Sequence, residues 1–151
     1  MPPHPNYHGN VYSPLKDVLQ RLPQIDSDHV HYRRSTADKR YLEALVHPER
    51  LNPPAGPDVS TITVKWTQQP SPEEFRIDYA DPNVQFHCGW HQDGDHPEYG
   101  NIHFQYDRPG LDDPVYQATS IDAVTPPRIL WEILDQLFTE IIPSIAAPLY
   151  D

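Results

Sequence analysis

Apolar and polar side chains alternate in four short runs between residues 61 and 106, and the alternation predicts an antiparallel sheet. In "TITVKWT" (61–67), Ile62, Val64 and Trp66 point one way, and Thr63 and Lys65 the other. In "EFRIDYA" (74–80), Phe75, Ile77 and Tyr79 oppose Arg76 and Asp78. In "VQFHCGWH" (84–91), Val84, Phe86, Cys88 and Trp90 oppose Gln85, His87, Gly89 and His91. In "IHFQY" (102–106), Ile102, Phe104 and Tyr106 oppose His103 and Gln105. Turns such as "QPSPE" and "DPN" are short, so the four strands form a meander with one buried face. "VYQAT" (115–119) predicts a weaker edge strand.

Elsewhere the period is helical. "SPLKDVLQRL" (13–22) places Leu15, Val18, Leu19 and Leu22 on one stripe, with Ser13 to cap and Pro14 in the first turn. A second helix is expected from Thr36 to Val46, with Tyr41, Leu42 and Leu45 apolar. "NPPAGPD" (52–58) then breaks the chain before the sheet. After "TPP" (125–127), Ile129, Leu130, Ile133, Leu134, Leu137, Phe138 and Ile141 make a continuous stripe that Pro143 is expected to end. A stripe that wide must pack on something, and the apolar sheet face is the available partner. The expected fold is therefore α+β: short N-terminal helices, a four- to five-stranded antiparallel meander, and a C-terminal helix packed on one face. Residues 1–12 read as an irregular segment and 13–151 as a single domain.

Composition narrows the setting. At 37% hydrophobic residues and 19 prolines, the chain should be rich in turns around a modest core. No run of about 18 apolar residues exists, and the N-terminus lacks a basic start followed by an apolar stretch, so neither a membrane partner nor a signal peptide is expected. With one cysteine there is no disulfide framework, and the expected location is cytoplasmic. The net charge of −11 suits solubility at high salt, as in a halophile, and opposes general nucleic-acid binding. Five of the eleven basic residues, Arg33, Arg34, Lys39, Arg40 and Arg50, fall within residues 29–50, which makes that segment a candidate for anion contacts.

The chemistry concentrates in "FHCGWHQDGDHPEYGNIHFQY" (86–106), which holds four of the nine histidines and the cysteine. Cys88 lies on the predicted core face, where a thiol is inert. His87 and His91 share a face but stand about 13 Å apart along a strand, too far for one metal ion. A turn site from His91, Asp93, Asp95, His96 and His103 is geometrically open, but its spacing matches no zinc-finger or metalloprotease pattern. No metal and no cofactor is expected. Histidines near an arginine and a lysine do supply the parts of a metal-free ribonuclease: a base, an acid and cations for the phosphorane. In that reading His91, His96 and His103 are the acid–base groups, and Asp93 and Glu98 orient them. Lys65, Arg76, Arg33 and Arg34 contact phosphate, and Tyr32, Tyr41 and Tyr99 offer stacking surfaces for unpaired bases. The competing reading is a non-enzymatic binding or structural protein that docks a partner through the hairpin or an exposed helix. The acidic balance favours that second class.

The stretch "RIDYADPNVQFHCGWHQDGDHPEYGNIHFQY" resembles the small TumE-type toxins of prokaryotic toxin–antitoxin pairs. These carry a meander followed by a W-x-x-(acid)-x-x-H-P-E element and a later histidine cluster. The matching positions are Trp90, Asp93, His96, Pro97, Glu98 and His103, within a likeness spanning roughly residues 62–142. The resemblance implies a growth-inhibiting toxin acting on RNA and neutralised by an antitoxin protein.

Overall fold

The computed structural model describes residues 9–34, 40–67 and 73–150. Its centre is one antiparallel sheet of seven strands in sequential order. The strands are β1 (Ile25–Arg34), β2 (Arg40–Val46), β3 (Ser60–Thr67), β4 (Glu74–Asp81), β5 (Phe86–Gln92), β6 (His103–Asp107) and β7 (Val115–Ala118). Helix α1 (Gly9–Arg21) precedes the sheet, and helix α2 (Pro126–Gln136) follows it.

β3 to β7 lie where the alternation places them, within two residues at each end. Along β3, buried and half-buried residues alternate without a break, with Ile62, Val64 and Trp66 inside. Register then carries one apolar row across the sheet: Leu42, Val64, Ile77, Trp90 and Phe104 pair in sequence.

Two expectations fail in the N-terminal half. The helix predicted over Thr36–Val46 is strand β2 from Arg40 onward, and Thr36 to Lys39 lie outside the described residues. "YLEALV" has good helix formers, but it also alternates, with Leu42, Ala44 and Val46 fully buried. Pairing on both sides, to β1 and β3, outweighs the local propensity. β1 was not expected as a strand at all. It is an edge strand with an irregular register between Ile25 and Val30, and among its described side chains only those two are buried. Its charged and histidine-rich sequence therefore carries almost no alternation. These two strands raise the count above the four or five expected.

The helices differ at their ends. α1 begins at Gly9, so Val11 and Tyr12, expected in an irregular segment, are buried helical residues. The Tyr12 hydroxyl donates to the Trp66 carbonyl at 3.1 Å and accepts from the Trp66 N–H at 3.0 Å, which fastens α1 to β3. Pro143 does not end the C-terminal helix. The chain continues from α2 as a wider π-helical segment, Leu137–Ala146, that contains Pro143. A ring at this position crowds the preceding turn of an ordinary α-helix. The wider turn accommodates it and keeps Ile142 and Ala146 on the buried stripe. α1, α2 and the π-helical segment share one core with the apolar sheet face, including Val64, Ile77, Phe86 and Phe104. The opposite sheet face is left polar. Among the described residues, no helix is long and apolar enough to cross a membrane.

Candidate functional site

The polar face is ordered by strand register into neighbouring rows. One row runs Lys65, Arg76, His91, His103. The next runs Glu43, Thr63, Asp78, Gly89, Gln105, Tyr116. A third runs Thr61, Ala80, His87, Asp107. Residues on adjacent strands of one row lie about 5 Å apart, so the rows bring together groups far apart in sequence.

Where the first two rows meet, His91 Nε2 lies 2.6 Å from Asp78 Oδ1. The contact crosses above Gly89. A Cβ at that position would collide with Asp78 Oδ1 and stand 2.8 Å from His91 Nε2. Position 89 therefore has to lack a side chain for this pair to form. A glycine inside an otherwise apolar-alternating strand is the sequence sign of such a close approach. The two partners differ in exposure: the His91 side chain is 5% accessible and that of Asp78 42%. The histidine braces the carboxylate from behind, and the carboxylate meets solvent. His91 Nδ1 has no hydrogen-bond partner among the described residues, and Asp93 Oδ2 stands 4.0 Å from it.

The other two predicted catalytic histidines extend from this pair as a chain of rings. His103 meets His91 edge-on at 5.3 Å, and its Nε2 lies 2.9 Å from Gln105 Oε1. His96, carried by the β5–β6 connection, covers His103 at 4.9 Å and lies 4.2 Å from Tyr116. Tyr99 is nearly parallel to Tyr116 at 6.1 Å. His103 was expected on the face opposite Ile102, Phe104 and Tyr106. It is on the polar side, opposite the helices, but only 2% of it is accessible because His96 and Tyr116 lie around it.

The predicted phosphate contacts separate. Lys65 and Arg76 are cross-strand neighbours beside the histidines. The Arg76 guanidinium lies 3.1 Å from Asp93 and 3.7 Å from Asp95, yet remains about half exposed. Burial works to raise the Asp93 carboxyl, but the Asp95 N–H, Arg76 and His91 outweigh it and hold that group below the ordinary carboxylate range. Asp93 thus positions Arg76 more than any histidine. Glu98 stands 3.5 Å from His96 Nδ1. Arg33 is paired with Glu43 on β2 and lies three strands, roughly 14 Å, from β4. The side chain of Arg34 lies outside the described residues. Of the stacking candidates only Tyr99 reaches the histidines, while Tyr32 meets Tyr12 edge-on at 5.8 Å. Cys88 is buried; desolvation pushes its thiol well up, and the Asp78 carboxylate adds to that.

The sequence puts Asp78 and His87 on the polar face among groups able to move protons, without a catalytic assignment, and singles out neither Gly89 nor Tyr116. Beside Asp78 the polar face is hollowed into a cavity of about 410 Å³, lined by Thr61, Thr63, Asp78, His87, Gln105 and Asp107 among others. Among the described residues, no group of three or more His, Cys, Asp or Glu side chains is arranged to hold a metal ion. The arrangement can hold a carboxylate ready to accept a proton, next to a cation-bearing row and a small polar hollow. No family model, curated protein or solved structure matches this chain, so the likeness to TumE-type toxins rests on the quoted residues alone.

Proposed function

We propose that the protein is a toxin-like, metal-independent endoribonuclease, cytoplasmic and held in check by an antitoxin protein. The observation that carries this reading is the Asp78–His91 contact, in which a buried imidazole braces a solvent-reaching carboxylate over a glycine. A carboxylate held in this way is suited to general-base work, which is typically worth about 10²–10⁴ in rate. It takes the proton of a ribose 2′-hydroxyl as the 2′-oxygen attacks the adjacent phosphorus. The bond from phosphorus to the 5′-oxygen breaks, and a histidine of the same face returns a proton to that oxygen. His91 and His103 are too buried to touch RNA and serve to position Asp78 and its surroundings. His96, Tyr99 and Tyr116 offer ring surfaces at the open end of the cluster. Lys65 and Arg76 are the cations beside it.

The test is expression in a sensitive host, with single-stranded RNA cleavage by purified protein in chelator. The wild-type chain should arrest growth and cleave, and Asp78→Asn should do neither while melting at a similar temperature. Co-expression of the protein encoded beside it should restore growth. Toxicity retained by a folded Asp78→Asn chain would end this reading.

A second reading, a binding protein without chemistry, is favoured by one feature. Trp131 of α2 is 51% exposed beside Val18, Ala123 and Pro127 around an open groove. A large ring left in solvent is a common anchor for a partner. Under that reading Trp131→Ser abolishes partner binding, and Asp78→Asn changes nothing.

A further inference from the structure

The hollow beside Asp78 exists because its floor is small. Ala80 and the two threonines Thr61 and Thr63 are short, while neighbouring positions of the face carry long side chains. At about 410 Å³ it falls within the range of small-ligand sites. The polar-face side chains that line it are two carboxylates, two threonine hydroxyls, an amide and an imidazole, and no lysine or arginine lines it among the described residues. Such a lining accepts hydrogen bonds from hydroxyl groups. The cations lie on the next row along the strands, Lys65 and Arg76, roughly 7 Å from Thr63 and Asp78. The face is therefore divided between a hollow suited to hydroxyls and the row that carries Lys65 and Arg76, the latter held by Asp93 and Asp95, with Asp78 between them.

His87 completes the division. It is exposed, lines the same hollow as Asp78, and occupies the position diagonal to it across β4 and β5. Diagonal neighbours stand about 7–8 Å apart, a spacing that admits a sugar–phosphate group between two side chains.

We infer that the hollow over Ala80 holds the reacting ribose of single-stranded RNA, with Asp78 and His87 as the two proton-transferring groups on either side of it. This rests on the ribonuclease reading above. Asp78 takes the proton of the 2′-hydroxyl as the bond from the 2′-oxygen to phosphorus forms. Protonated His87 gives its proton to the 5′-oxygen as the bond from that oxygen to phosphorus breaks. The products are a 2′,3′-cyclic phosphate and a free 5′-hydroxyl, and no co-reactant is required.

The site is tested on the full chain with unphosphorylated ligands, the four ribonucleosides and their 2′-deoxy counterparts, followed by backbone amide resonances. At least one ribonucleoside should shift Thr61, Thr63 and Gln105, and its 2′-deoxy form should bind at least tenfold more weakly. Ala80→Leu, which fills the hollow, should abolish the shifts, and Thr63→Val should weaken them should Ala80→Leu not fold. Nucleosides that leave these amides unmoved, or deoxy forms that bind equally well, overturn the site. The role of His87 is read from RNA cleavage: His87→Asn should lower the rate by about 10²–10⁴. A His87→Asn chain that cleaves at the wild-type rate overturns that role. Ribonucleoside binding with no cleavage by the wild-type chain overturns the ribonuclease reading and leaves the sugar site. Cleavage with no nucleoside bound at these residues does the reverse.

Discussion

His91 Nε2 lies 2.6 Å from Asp78 Oδ1, and the two side chains meet in the space that Gly89 leaves empty. Three residues on two strands are coupled by this contact: one braces, one reaches solvent, and one must have no side chain. Predictions about the site begin from that geometry.

Gly89→Ala should separate the pair. The added methyl collides with Asp78 Oδ1, so the carboxylate or the imidazole must move. Overpacking of this kind costs about 1–3 kcal/mol, which urea denaturation can read. Cleavage activity should fall with the geometry. An alanine variant as stable and as active as the wild type would show that the pair is irrelevant.

The histidines should separate by burial. His103→Ala removes a buried ring and leaves Gln105 Oε1 without its donor, so it should cost about 1–3 kcal/mol. His96→Ala, half in solvent, should cost less than about 1 kcal/mol. A chelator should leave the melting temperature of each variant unchanged, because a bound metal contributes its binding energy to folding.

RNA affinity should depend only weakly on salt. Lys65 and Arg76 are the cations beside the histidines, and a site that neutralises two phosphates on a single strand gives a log–log slope of roughly −1.4. Titrations between 50 and 200 mM salt, about the range over which such slopes are read, would measure it. A slope several units steeper would place the binding surface elsewhere, with Arg33 and its neighbours the first place to look.

Stability should fall in alkali through Tyr150. Burial, and then its hydrogen bond to buried Asp81, push the Tyr150 hydroxyl up to about 12 from its ordinary value near 10. A group whose folded value is raised contributes stability that is full below its unfolded value and is lost as pH climbs through the folded one. The loss should therefore run from about pH 10 to 12. Tyr150→Phe should flatten that limb. At neutral pH it should cost less, about 0.5–1.5 kcal/mol, because among the described residues Asp81 then keeps only Asn83 but Tyr150 is exposed enough for water to replace its hydroxyl.

The central strands were legible in the sequence because each buries one face and wets the other, which writes a two-residue period into residues 61–106. The C-terminal stripe was legible for the corresponding helical reason. β1 and β2 were not. Among its described side chains β1 buries only two and so has little pattern to read, and β2 combines a strand period with helix-forming residues that pairing on both sides overrides. The passage of the helix through Pro143 was likewise hidden, since the ring alone argues for an end and only the packing of Ile142 and Ala146 argues against one.

For the site, alternation along the strands is enough to put His87, His91 and His103 on the face opposite the helices and Cys88 in the core. The tertiary structure alone decided how they are used. Whether His91 faces solvent or Asp78 depends on pairing between β4 and β5 and on the missing Cβ of Gly89. Whether Arg76 is available depends on a turn that carries Asp93 and Asp95 back to it. Alternation specifies the face a side chain occupies. It carries no information about the partner that strand register sets beside it, because that partner comes from a different stretch of the chain.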